Sequence, residues 1–309
     1  MSNLPPTDDV RHEVRSGETL SGIAERNGIT LDALLAANPA IKDPNRIQIG
    51  QVIIIPGQSE ATGDEPVEEN VDGTDPSTPQ SPADDTEESR SIFLGFDRLE
   101  YPGDAFMRVL RAEAQVSWTG FYLAPAPSQG STTWMEKRAF LKGLGFGFAP
   151  IYVGQQQRQV RGSHLLTAAQ GGSDGENAVA LAKRAGFPEA SVLYLDIETG
   201  PPPEPALLTY YKSWVQGVTD NGFTPGVYCS HLLPPALLQH AQAVVWIFHL
   251  KFDNGSTFSP PLPLIDPSQS TFTGARMMQY AQQGSLTIGG RTLSPIDLDS
   301  SHKADPSEV

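Results

Sequence analysis

The sequence predicts an α/β protein: a TIM-like (β/α) barrel, preceded by a small βααβ unit and a disordered acidic linker. Three observations carry this. From Ser91 onward, apolar strand-like runs alternate with helical patterns, the rhythm of repeated βα units. The stretch 91–303, roughly 210 residues, sits at the lower end of the usual length for such a barrel. A doubly wound open sheet is the competitor, but the segment after the first strand, Phe96-Asp97-Arg98-Leu99-Glu100-Tyr101-Pro102-Gly103, is no dinucleotide fingerprint. The linker and the N-terminal unit are set off by composition and by turn signals.

After a polar, Pro-rich start (1–11), which is expected to be disordered, the unit 12–57 is sharply punctuated. His12-Glu13-Val14 starts a strand, and Ser16-Gly17-Glu18 turns it into a helix over Thr19–Asn27 striped by Leu20, Ile23 and Ala24. Gly28 reads as a C-cap and Thr30 as the N-cap of a second helix, with Leu31, Leu34 and Leu35 facing in. Asn38-Pro39 ends that helix, and Ile47–Ile55 closes the unit as a strand. So small a unit leaves room for binding rather than for a catalytic cleft.

Val14–Leu20, Ile23-Ala24, Leu34–Pro39 and Ile49–Pro56 together resemble a LysM domain. The resemblance implies binding of N-acetylglucosamine in peptidoglycan or chitin. It places the groove on Gly17, Glu18, Thr19 and Leu20 and on the loop of Asn38, Pro39 and Ile41. A single copy implies weak, targeting-type binding.

Residues 58–90 are rich in Pro, Gly, Ser, Thr, Asp and Glu, with Arg90 as the lone opposing charge. Such a stretch cannot offset its ordering entropy, so a self-repelling disordered linker is expected. It holds much of the net charge of -15. That acidity argues against nucleic acid and anionic membrane as partners. No run approaches a membrane span, so no membrane insertion is expected. The start carries no basic segment and no apolar core, hence no classical signal peptide is expected. Cys229, the single cysteine, lies in an apolar strand and reads as a core thiol.

Within the barrel, strands are predicted at Ile92–Asp97, Ser117–Leu123, Phe148–Val153, Val192–Glu198, Thr224–Cys229, Val244–Phe248 and Arg276–Tyr280. Helices fall near Ala105–Ala114, Met135–Leu144, Gly175–Ala185, Glu204–Asn221 and Pro234–His240, before a tail at 304–309. The central signal is Val192-Leu193-Tyr194-Leu195-Asp196-Ile197-Glu198. Alternation along a strand puts Tyr194, Asp196 and Glu198 on one face, with the two carboxylates roughly 6–7 Å apart at the backbone. Such a pair suits general acid work, one group protonated and the other ionised. Strand ends are where barrel active sites assemble. The ends offer Asp97, Tyr152 with Gln155, Asp196 with Glu198, Tyr228, Trp246 with His249, and Gln279 with Tyr280; Ser294–Asp299 adds Asp297 and Asp299. No His-x-His, His-Glu-x-x-His or paired-Cys spacing occurs, so neither a metal site nor a cofactor is expected. A Gly-x-Ser-x-Gly elbow is also missing, which disfavours a serine hydrolase; without it or a metal cluster an amidase or peptidase is disfavoured as well.

Gly95-Phe96-Asp97, Ala149–Gln155, Gly172–Ala178, Leu195–Glu198 and Gly226–Ser230 resemble the glycoside-hydrolase-like barrel catalogued as domain of unknown function 1906. That family is similar in turn to the family 25 lysozymes, which cleave the peptidoglycan glycan. Asp196-Ile197-Glu198, Met278-Gln279-Tyr280 and Asp297-Leu298-Asp299 match their strand-end motifs. The resemblance implies a LysM-targeted, muramidase-like glycoside hydrolase. Glu198 would be the general acid, and Asp196, Asp97 and Asp297 largely ionised charge stabilisers. Tyr152, Gln155, Tyr228, Trp246, Gln279 and Tyr280 would bind substrate. The alternative is a catalytically inactive peptidoglycan-binding protein. Both readings expect a protein made in the cytoplasm and exported by a leaderless route to the periplasm or cell wall. Antibacterial delivery by type VI secretion, with a spike and an immunity protein as partners, is expected ahead of service as an endolysin.

Overall fold

The computed structural model describes residues 10–13, 20, 23–24, 27, 29–39, 41, 52–56 and 91–309. The chain divides into two compact units, Met1–Asp84 and Asp85–Val309.

In the first unit, β1 (Val10–Glu13) pairs antiparallel with β2 (Val52–Ile55), Val10 opposite Ile55 and Glu13 opposite Val52. Between them lies α1 (Leu31–Ala37), begun by Thr30, whose hydroxyl accepts from the Ala33 N–H at 3.1 Å. Leu20, Ile23, Ala24, Leu34, Ile53 and Ile55 form the core. Asn38 clamps helix to strand. Its amide nitrogen donates to the carbonyls of Leu34 and Ile54 at 2.7 and 2.6 Å, while its oxygen accepts from the Ile54 N–H at 2.8 Å. Burial and these backbone bonds take Asn38 out of an exposed groove, and Leu20 is likewise a core residue. Pro39 is exposed and Ile41 half-buried. Gly17, Glu18 and Thr19, like Gly28 and residues 47–51, lie outside the described residues, as does the linker.

The second unit is a closed barrel of eight strands wrapped by helices. In chain order it runs β3 (Phe93–Asp97), α2 (Asp104–Glu113), β4 (Trp118–Tyr122), α3 (Arg138–Gly143), β5 (Gly147–Tyr152), α4 (Ala168–Arg184), β6 (Val192–Asp196), α5 (Pro205–Asp220), β7 (Thr224–Ser230), α6 (Pro234–Leu238) and β8 (Val244–Phe248). There follow a short β9 (Thr257–Phe258), β10 (Met277–Ile288) and β11 (Arg291–Ser301). Neighbours from β3 to β8, and β8 with β10, are parallel. The last strand, β11, runs the other way and closes the ring antiparallel to both β10 and β3. Sequence reading placed seven strands within a residue or so of their starts and read the eighth only as a segment bearing two acids. Two neighbours in a hairpin need no crossover helix, so the βα rhythm stops before the barrel does.

Large aromatics fill the interior. Trp246 is the hub, with Trp118, Tyr194 and Tyr228 edge-on to it at 5.8, 5.8 and 4.9 Å between ring centroids. Gly95 on β3 makes room for this cluster: a Cβ there would fall 2.1 Å from the Trp118 ring. The segment after β11 is built into the barrel wall. The Val192 N–H donates to the Ser307 carbonyl at 2.8 Å and the Tyr194 hydroxyl to that of Pro306 at 2.9 Å. Cys229 is fully buried, and burial pushes its thiol pKa up. No helix among the described residues is long and apolar enough to cross a membrane.

Candidate active site

The C-terminal ends of the parallel strands converge on a pocket of about 390 Å³. Asp97, Asp196, Glu198 and Asp297 all line it, so four acids separated by up to two hundred positions meet in one place. Antiparallel pairing sets Asp297 directly opposite Asp97. Parallel pairing sets Asp196 opposite Tyr228. Gly120 on β4 lets Asp97 sit where it does, because a Cβ there would approach the Asp97 Cβ to 2.5 Å.

Strand β6 ends at Asp196, two residues short of the expected end, and Glu198 stands beyond it at the pocket rim. Asp97 accepts a 2.7 Å hydrogen bond from the Tyr122 hydroxyl. Asp196 is buried, and its Oδ1 has no hydrogen-bond partner. Asp297 Oδ1 accepts from the Gln283 N–H at 2.6 Å, and Gln283 holds a positive φ of 55° to deliver it. Behind them Asp299, fully buried, takes the Trp246 indole N–H at 3.2 Å. Its other oxygen finds no N–H or O–H donor, and a bond between its carboxyl and that of Asp97 raises the pKa of Asp299 and lowers that of Asp97. Two buried carboxyls in contact must share a proton.

The electrostatics follow from crowding. Loss of hydration, followed by the charges of Glu198 and Asp97, holds Asp196 well above the usual carboxylate range. Loss of hydration and the charge of Asp97 do the same to Asp297 and Asp299. Burial also raises Asp97, but hydrogen bonds from Tyr122 and Asp299 pull it back. This corrects the expectation that Asp196, Asp97 and Asp297 stay largely ionised together: so many acids in one desolvated site cannot all be charged. Glu198 reaches solvent at the rim, yet lost hydration and then Asp97 raise its pKa as well.

The expected substrate-binding residues divide by strand parity. Tyr228 and Trp246 line the pocket, and Gln279 lies beneath it, its amide oxygen accepting from the Tyr228 hydroxyl. Tyr152 faces the other way. Its neighbour Ile151 lines the pocket, so Tyr152 points to the helices, packs on Trp214 and donates to Asn177 Oδ1 at 3.1 Å. Gln155 is a buried loop anchor that donates to Asp174 and accepts from the Leu165 N–H. Tyr280, next to Gln279, also points outward and donates to the Pro263 carbonyl at 2.6 Å. Sequence reading missed Tyr122, Arg98, Glu100, Gln282 and Gln283, which line the pocket. Tyr122 was findable, since it ends a strand as Asp97 does. Among the described residues no group of three or more His, Cys, Asp or Glu is disposed to hold a metal ion.

Residues 12–56 match the LysM domain family and residues 110–301 the Rv2525c-like, glycoside hydrolase-like domain family. The endolysin of Bacillus phage PZA is 42% identical over 52 residues, 17% of this chain and 20% of that one. The chain thus spans about a fifth of that relative's length. An uncharacterized B. stearothermophilus protein of known structure superposes with a TM-score of 0.50 at 21% identity, over 67% of this chain and 94% of its own. That likeness is one of fold. A family 25 glycosyl hydrolase from Bacillus anthracis gives a TM-score of 0.46 at 13% identity, over 68% of this chain and 89% of its own.

Proposed function

The chain belongs to the Rv2525c-like, glycoside hydrolase-like family and carries a LysM domain, and from that premise we propose that it hydrolyses the glycan of peptidoglycan as a muramidase-like enzyme. The observation that carries this is the placement of Glu198 at the rim of a pocket it shares with Asp97, Asp196 and Asp297. A carboxyl with a raised pKa can stay protonated near neutral pH and deliver its proton to the leaving glycosidic oxygen. Burial raises Asp97 too, but the Tyr122 and Asp299 hydrogen bonds offset part of that rise and make it the acid best placed to carry negative charge beside an oxocarbenium-like centre. Asp196 Oδ1, buried without a partner, is an acceptor for the N–H of an N-acetyl group, which could then attack its own anomeric carbon. Asp297, opposite Asp97, would line the floor of the site, and Tyr228 and Trp246 would form the wall against the sugar ring. The LysM unit would hold the enzyme on N-acetylglucosamine and N-acetylmuramic acid strands, in the periplasm or cell wall. The expected secretion spike and immunity protein have no support from the relatives named above, and peptidoglycan glycan is the partner proposed.

The test is release of reducing sugar from purified peptidoglycan by wild type and Glu198→Gln. The variant should bind the glycan as wild type does and lose turnover by at least about a hundredfold. Retention of a tenth of the wild-type rate sinks the assignment. Inactivity of both proteins with binding intact would favour a silent glycan-binding barrel instead.

A further inference from the structure

Ile197 and Glu198 lie past the end of β6 at Asp196, yet they stay aligned with the barrel. On one side the support is ordinary: the Ile197 N–H donates to the Tyr228 carbonyl at 2.9 Å, continuing the pairing with β7. On the other side β5 has already left, its last pairing with β6 being Tyr152 opposite Leu195. There the place of the missing strand is taken by one side chain. The Gln156 amide nitrogen donates to the Asp196 carbonyl at 2.8 Å, and its amide oxygen accepts from the Glu198 N–H at 3.4 Å. One donor to the residue before Ile197 and one acceptor to the residue after it is the pattern that a parallel neighbour's backbone gives.

We infer that Gln156 is a positioning residue for Glu198: its carboxamide acts as a side-chain rung that extends the barrel sheet past β6 and fixes the acid at the pocket rim. The inference rests on the hydrolase reading only for its kinetic consequence. Gln156 is itself held firmly. It is 1% exposed, its N–H donates to the Ser163 carbonyl at 2.7 Å, and its own carbonyl lies 3.0 Å from the His164 Nδ1. Its neighbours tie the same loop to the helices. Gln155 donates to Asp174 on α4 at 3.2 Å, the Asp174 carboxylate also accepts from the Tyr210 hydroxyl of α5 at 2.8 Å, and Gln157 accepts from the Glu204 N–H at 3.2 Å. The carboxamide thus works from a braced base. Losing it frees the backbone that carries Glu198 without touching the acid itself, and a misplacement of about 1 Å at a reacting group can cost on the order of a hundredfold in rate.

The experiment compares wild type, Gln156→Ala, Gln156→Met and Gln157→Ala in the full chain. Amide hydrogen exchange reads the rung directly. In Gln156→Ala the Glu198 N–H should exchange at least about tenfold faster, while the Leu195 N–H within β6 keeps its rate. On peptidoglycan the same variant should lose about tenfold to a hundredfold in kcat with KM within about twofold. Gln157→Ala, whose bond goes to Glu204, should leave both readouts at the wild-type values. Should the alanine variant fail to fold, Gln156→Met refills the space and carries the same measurements. Unchanged Glu198 exchange in a folded Gln156 variant overturns the inference, as does equal damage from Gln157→Ala. If wild type proves inactive, the hydrolase reading falls while hydrogen exchange still decides for or against the rung.

Discussion

At Asp299 the barrel buries a carboxyl completely, gives one oxygen to the Trp246 indole and couples the group to Asp97. Burial first, then Asp97 and Asp297, lift its pKa well above 3.8. The folded state therefore holds protons that the unfolded chain has released. Stability from this group is complete below about pH 3.8 and is lost as pH rises toward the raised value. Asp196 and Asp297 slope the same way. Asparagine at 299 can keep the acceptor for Trp246 and donate to Asp97 as the protonated acid does. Asp299→Asn should then raise the melting temperature more at about pH 8 than at about pH 4.5, by calorimetry at both. An equal shift at the two pH values would show that the proton is not held there. None of this is visible in Asp297-Leu298-Asp299 as letters. Alternation puts both acids on one face, but only the neighbours decide which one opens to the pocket.

At the scale of elements, helices with strong periodicity such as α5 were legible to within a residue. The start of α4 was not. Gly171, Gly172 and Gly175 lower its helix propensity, yet the helix begins at Ala168, capped by the Thr167 hydroxyl accepting from the Gln170 N–H at 3.1 Å. The tail expected at 304–309 is a structural part of the barrel unit. Asp305 Oδ1 accepts from the Phe148 N–H at 3.0 Å, the Ser307 N–H at 3.0 Å and the Ser307 hydroxyl at 2.6 Å. These bonds join the last residues to β5. Asp305→Ala leaves the Phe148 N–H without its acceptor and should cost about 1–3 kcal/mol, seen as a lower urea midpoint with an unchanged slope. A midpoint within error of wild type would make the segment an ornament.

At the scale of the whole molecule, two units with separate cores predict separable behaviour. A protein comprising residues 91–309 should keep wild-type turnover on soluble glycan fragments. On intact peptidoglycan it should need about tenfold more enzyme or more for the same rate, because a tethered second contact raises effective concentration. Equal rates on both substrates would remove the LysM unit from the account. The two units, the barrel rhythm and the acids at strand ends are legible in the amino-acid order, because periodicity, turn residues and composition act locally. That Tyr152 faces the helices and Tyr280 the segment carrying Phe252 and Pro263, while Ile151 and Gln279 face inward, follows from the tertiary structure alone. The tertiary structure alone also closed the ring through an antiparallel β11, set Tyr122 on Asp97 and brought the Gln156 carboxamide alongside Glu198. Those facts depend on which strands become neighbours, and pairing between distant segments is fixed by the packing of the whole barrel rather than by any stretch of the chain.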